Sequence, residues 1–376
     1  MNFTTNSPEN SEHTADKEHE REIAELSQKG YQLLKQGFAQ EAQTYFQKIL
    51  DDDSANNYAL VGIGDALRKQ RSFGQAAQHY EKCLKHHPSN NYALFGLADS
   101  YSAMHRYRES AEVWERYLEH DDRNITVLTR VADVHRKARD FGRAKELYEN
   151  VLAIQNNNLY ALIGMGHLHY DFKEYTDALG YWNRVLKLTE PREDIRILTS
   201  IGNCYRKIHK FDAGLPFFER ARRKDSNNFY ALFGLADCFR GLNRPQDALE
   251  LWARLLEREP DNKVILTRVG DAYRKLGNTV KAEQFYQSAL DIEFDIYAVL
   301  GLAHIHMSNG KAADAIQSLR SVVQQDPHNH RIAIALSQAH QAANDREQAV
   351  KALEDFMQQG LRHPSVVKEL NRLQHG

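Results

Sequence analysis

The chain repeats itself every 34 residues. Residues 91–124 lie over residues 125–158 without a gap, so that Leu94 matches Leu128, Ala98 matches Ala132 and Trp114 matches Tyr148. This 68-residue pair recurs as a pair, as residues 159–228, two residues longer, and residues 229–295, one residue shorter. A fixed period of this length means one supersecondary unit stacked on copies of itself, and it overrides the two or three domains that length alone would suggest.

Ten repeats are placed at 23–56, 57–90, 91–124, 125–158, 159–194, 195–228, 229–262, 263–295, 296–329 and 330–364. Each reads as two helices. Apolar residues at repeat positions 4, 7, 8 and 11 share one helical face, and so do positions 20, 24 and 27. A turn near position 15 carries Gly37, Gly277 and Gly310, and a second turn near position 32 carries Pro88, Pro260 and Pro327, which stop the preceding helices. Position 8 is Gly, Ala or Ser throughout, and position 20 is Ala in all repeats but two, where Ser110 and Gly214 stand. Small residues there allow two helix backbones to approach closely. Position 24 then fills the space beside them with Phe46, Tyr80, Trp114, Tyr148, Trp182, Phe218, Trp252 or Tyr286, and with Leu319 and Leu353 in the last two repeats. No repeat can bury such a face alone, so its neighbour must complete it.

This pattern of small and aromatic positions over 34 residues resembles the tetratricopeptide repeat, across residues 23–364. The resemblance implies an all-α fold, a right-handed superhelical solenoid of about ten antiparallel helix pairs. It also implies a concave groove lined by first helices that holds a peptide or partner segment. The motif specifies fold far more than function.

Residues 1–22 are acidic and nearly without apolar side chains, which reads as a disordered tail. Residues 365–376 are amphipathic and read as a C-terminal capping helix. In repeats five and six, Thr189-Glu190-Pro191-Arg192 lengthens a turn and Pro216 falls early in a second helix. An irregular joint is expected near 189–218, with the second helix starting late or bending at the proline.

Two polar patterns have the double-repeat period. Repeats two, four, six and eight carry Asp65 with Arg68 and Lys69, Asp133 with Arg136 and Lys137, Asn203 with Arg206 and Lys207, and Asp271 with Arg274 and Lys275. At about 100° per residue, positions 2, 9 and 13 fall opposite the packing face, with position 12 at their flank. Arg130 and Arg268, at position 6, lie on the same side. These cationic rungs could hold acidic groups or carbonyls of a partner. Alternatively, each arginine pairs with its own Asp or with one in the next repeat and knits the stack. Position 2 carries Tyr58, Tyr92, Tyr160 and Tyr230, with Tyr297 as a variant, either as a ladder for peptide contact or as seam packing.

Other chemistry is thinly represented. His167-x-His169 and His304-x-His306 point to different helix faces and cannot chelate together. His135, His169, His306 and His340 occupy position 11, where other repeats have packing residues. The three cysteines are an odd number and read as structural thiols. Gly62-x-Gly64 and Gly164-x-Gly166 fall inside helices, without the strand and third glycine of a nucleotide fingerprint. No metal, no cofactor and no catalytic centre is expected. A net charge of −2 gives no basic field for nucleic acid, no stretch is long enough for a membrane span, and the N-terminus has no signal segment. The expectation is a non-catalytic cytoplasmic scaffold binding an acidic or mixed protein or peptide partner. The alternatives are a self-associating homo-oligomer and a regulatory subunit that senses a small ligand in the groove. Lys and Asn are not at the groove positions that a chaperone-tail clamp requires: Asn203 alone matches, and Thr129, Thr199 and Thr267 stand at position 5.

Overall fold

The computed structural model describes residues 8–375, with side chains from residue 19. These residues form twenty-one α-helices and no strand. The array divides into two compact blocks, one ending at Leu188 and the other beginning at Thr189. The first holds repeats one to five; the second holds repeats six to ten and a final helix.

The helix boundaries follow the repeat frame. First helices begin at Asn57, Asn91, Ile125, Leu159, Ile195, Phe229, Lys263, Ile296 and His330, the opening residue of each repeat from two to ten. The residue before each is an Asn or Asp that caps it. Asn56 accepts from the Ala59 N–H at 3.2 Å, Asn90 from Ala93 at 3.0 Å, and Asp194 and Asp295 take the same place where Asn is absent. Each such cap is worth about 1 kcal/mol. Each first helix then ends in a left-handed residue at position 15. Gly37, Gly277 and Gly310 supply it in three repeats, and Arg71, His105, Arg139, Lys173, His209, Asn243 and Asn344 adopt φ between 56° and 67° in the others.

The core is built around position 24. Phe46, Tyr80, Trp114, Tyr148, Trp182, Phe218, Trp252 and Tyr286 are all buried. Phe46, Tyr80, Phe218 and Tyr286 each fit where two backbones carry no side chain. A Cβ on Gly202, at position 8 of repeat six, would lie 2.7 Å from the Phe218 ring, and one on Gly234, at position 6 of repeat seven, 2.1 Å from it. Tyr80 is flanked in the same way by Gly64 and Gly96, and Tyr286 by Gly270 and Gly301. The position-8 residue thus admits the ring of its own repeat, and the position-6 glycine admits the ring of the repeat before. Gly234→Ala should therefore cost about 1–3 kcal/mol, the range for overpacking a filled core. A melting temperature equal to wild type would show that Phe218 can step aside.

Two expectations need correction. Residues 8–22 belong to the first helix, which runs Pro8–Gln36; residues 1–7 lie outside the described residues. A lack of apolar residues prevents a core but not a helix, and this segment is rich in Glu, with Pro8 in the first turn. Likewise, the second helix of repeat six does not start late. It spans Phe211–Lys224, beginning at position 17 like its counterparts, with Pro216 inside it. Pro216 and Asp212 are both exposed, so the carbonyl that loses its partner faces water. The lengthened turn of repeat five contains a cis Glu190–Pro191 bond and adjoins the division between the blocks. The final helix, Pro364–His375, buries Val366, Leu370 and Leu373 against Ala349, Leu353 and Phe356 of repeat ten.

Candidate functional site

The polar face of the first helices resolves into two kinds of contact, and together they explain the double-repeat period. In the first kind, an Asp at position 9 accepts the hydroxyl of a buried Tyr at position 24 in its own repeat. Asp65 takes Tyr80 at 2.8 Å, Asp133 takes Tyr148 at 2.7 Å and Asp271 takes Tyr286 at 2.7 Å. Repeat six has Phe218, which offers no hydroxyl, and there position 9 is Asn203. Burial, followed by the nearby carboxylate, pushes these three tyrosine hydroxyls well above their ordinary range.

In the second kind, an Asp at position 9 of an odd repeat is clamped by arginines of both neighbours. Asp99 takes Arg68 Nη1 of repeat two at 2.8 Å and Arg130 Nη1 of repeat four at 3.1 Å. Asp237 takes Arg206 of repeat six, Arg240 of its own helix at 2.9 Å and Arg268 of repeat eight at 3.8 Å. The position-9 carboxylates of repeats three and seven thus take cations from the even repeats beside them, at position 12 on one side and position 6 on the other. Repeat five has His167 at position 9, and Arg136 turns instead to Asp171, at position 13. Arg274 has no such carboxylate in repeat nine and lies 3.3 Å from the Tyr286 hydroxyl and 3.7 Å from Asp271.

Arg68, Arg136 and Arg206, expected to form free rungs, are thus engaged with neighbouring repeats and Arg274 with its own, and the knitting alternative describes their geometry. Of the four lysines, all exposed, Lys69 donates to the Leu34 carbonyl, Lys137 lies over the Tyr107 ring and Lys275 Nζ is 3.5 Å from Asn243 Oδ1. Lys207 is also exposed on this face.

The tyrosines of position 2 behave differently. Tyr92 is 80% exposed, Tyr160 76%, Tyr230 69%, Tyr58 61% and Tyr297 53%. Most of each ring lies outside the repeat seams, although the Tyr297 hydroxyl accepts from Arg331 of the next repeat at 2.8 Å. Near the N-terminal end they border a cleft of about 480 Å³ that Tyr31 also lines.

The histidines of position 11 pack as their spacing suggests. His135, His169 and His340 are buried, and each turns Nδ1 toward an acid five residues on: Asp140 at 3.1 Å, Glu174 at 2.6 Å and Asp345 at 3.9 Å. Among the described residues, one group brings three metal-ligating side chains within 4.8 Å, namely His169, Glu174 and Asp177. It spans two helices, so spacing within one helix could not reveal it. Its carboxylates are exposed and Glu174 already takes the His169 ring. The cysteines are free and buried, and burial pushes the Cys83 thiol up to about 11 and those of Cys204 and Cys238 to about 12. Such thiols are protonated and inert at neutral pH. No described helix is long and apolar enough to cross a membrane.

Stacked helix pairs with a small-residue and aromatic frame, knitted by ion pairs between repeats, define a helical repeat protein of the interaction-scaffold class. Models of the tetratricopeptide repeat match residues 28–91, 61–101 and 239–295 in one form and 306–366 in another, and the chain belongs to that family. A TPR repeat-containing protein of Methanocaldococcus jannaschii is 39% identical over 61 residues, which are 16% of this chain and 17% of that protein. A tetratricopeptide repeat protein from Parabacteroides merdae has a crystal structure that matches with a TM-score of 0.52 at 14% identity, over 67% of this chain and 99% of that one. YrrB, a TPR protein described as having an unusual peptide-binding site, matches with a TM-score of 0.44 at 21% identity, over 50% of this chain and 97% of its own.

Proposed function

We propose that this chain is a non-catalytic scaffold that captures a protein segment along the face built by its first helices, with the position-2 tyrosines as its contact residues. The observation that carries the reading is their exposure, 53–80% in five repeats, beside a core that buries every aromatic of position 24. Large rings left mostly in water on five repeats add little to the stacking of the array. They offer rigid contact area at low entropic cost, the usual role of tyrosine at interfaces. The paired arginines hold this face in register, and the exposed lysines of position 13 border it.

The test is a triple variant, Tyr92→Ser with Tyr160→Ser and Tyr230→Ser, compared with wild type by affinity purification and crosslinking. The variant should keep its melting temperature, because these rings bury little, and should lose the partners that wild type retains. Equal capture by both proteins would overturn the assignment of the tyrosines.

A further inference from the structure

Two adjoining clefts open on the first helices of repeats one to three, and the charged groups lining them are acidic. The first, about 480 Å³, is walled by Tyr31, Tyr58 and Tyr92, one tyrosine from each of three successive repeats, with Asp65 beside them. The second, about 580 Å³, shares Tyr31 and Tyr58 and adds Glu20. Among the described lining residues, Asp65 and Glu20 are the only charged ones. The common wall is fixed, since the Tyr31 hydroxyl donates to the Tyr58 carbonyl at 3.3 Å.

Asp65 is held but not used up. Its Oδ1 accepts from the Tyr80 hydroxyl at 2.8 Å and lies 3.4 Å from Arg68 Nη2. Both contacts fall on that one oxygen, and no described group bonds Oδ2. Arg68 turns its other arm to Asp99 at 2.8 Å. The carboxylate is 29% exposed and borders the tyrosine-lined space.

We propose that these clefts anchor a cationic side chain of the partner segment, an arginine, whose guanidinium enters between Tyr31, Tyr58 and Tyr92 and donates to Asp65 Oδ2. The proposal rests on the scaffold reading above and gives it a chemistry. Aromatic rings attract a cation, and a planar, weakly hydrated guanidinium both stacks on them and bonds a carboxylate. Glu20 in the adjoining cleft favours a second basic residue in the same segment. An acidic side chain would meet Asp65 and Glu20 with no free cation in the lining. At this end of the array the partner is therefore basic, the opposite sign from the one that unpaired arginine rungs would select.

The probe is an acetylated and amidated pentapeptide with one arginine between glycines and serines, tested on the full chain by saturation-transfer NMR. Its neutral citrulline counterpart and a glutamate counterpart serve as comparisons. The arginine side-chain protons should show saturable transfer, roughly fivefold or more above citrulline, with none for glutamate. Tyr92→Ala should remove most of that signal while the circular dichroism spectrum stays unchanged, since the ring is 80% exposed. Tyr160→Ala, outside the clefts, should leave it intact. Asp65→Asn should weaken it as well, and Tyr92→Ala carries the test if loss of the Tyr80 contact unfolds that variant. Equal transfer to arginine and citrulline, or full transfer in Tyr92→Ala, would overturn the proposal. If the arginine peptide fails while the triple tyrosine variant still loses its partners, the anchor is wrong and the scaffold reading stands.

Discussion

Asp237→Ala is expected to destabilise the second block by about 3 kcal/mol, the lower end of the roughly 3–5 kcal/mol seen when one partner of a buried ion pair is removed. Asp237 is 2% exposed and is the one carboxylate that Arg206, Arg240 and Arg268 share. The lower end applies because these arginines keep 22%, 35% and 31% exposure and can recover some hydration. Asp237→Asn keeps the shape and removes only the charge, so it should lose most of the same stability. The pH dependence gives an independent check. Burial alone would raise the Asp237 pKa, but the cations of Arg240, Arg268 and Arg206 outweigh it and hold the carboxyl below its ordinary value. A carboxylate depressed on folding contributes stability above its unfolded pKa, about 3.9, and loses it as pH falls through the folded value. The gap between wild type and Asp237→Asn in urea unfolding should thus be constant at neutral pH and close only below about pH 4. A gap under about 0.5 kcal/mol at pH 7 would mean the clamp is ornamental.

Trp114→Ala should cost about 3–5 kcal/mol, the range for emptying the site of a buried aromatic. The indole is fully buried and meets Phe95 edge-on at 5.1 Å and Tyr117 at 5.6 Å. It stands at position 24 of repeat three, where no large side chain can move in, because position 8 is Ala98 and position 20 is Ser110, both fully buried. Stability in such arrays is a sum of repeats and nearest-neighbour interfaces, so the loss should broaden the unfolding transition as well as lower its midpoint. Hydrogen exchange would show faster opening in repeats three and four first. A cost below about 0.5 kcal/mol would place Trp114 at the surface and break the repeat register.

The frame of the molecule was readable because it is written at short range. Helix starts, the turn at position 15 and the buried ring at position 24 all follow from spacing within 34 residues. The position-6 glycines were equally visible as a recurrence in Gly62, Gly96, Gly164, Gly234 and Gly301, and their meaning was not. Nothing within one repeat says that the ring they admit belongs to the repeat before. The covariation of Asp65 with Tyr80 and of Asn203 with Phe218 was present too, but only a 2.8 Å hydrogen bond in the one repeat and its absence from the other gives it a cause.

What the sequence determined by itself is the angle of each side chain around its helix, since the 3.6-residue turn fixes it locally. That was enough to put Arg68, Arg136, Arg206 and Tyr92 on the polar side. Only the tertiary structure decided which of them remain available. Arg68 finds Asp99, Arg136 finds Asp171 and Arg206 finds Asp237, each in the following repeat, whereas the Tyr92 ring finds water. The physical reason is reach. A guanidinium on a long stem crosses the seam to a carboxylate of the adjacent helix and gains a charge-assisted hydrogen bond there. Tyr92, at the helix start, has no such stem or charge, and its ring stays 80% exposed.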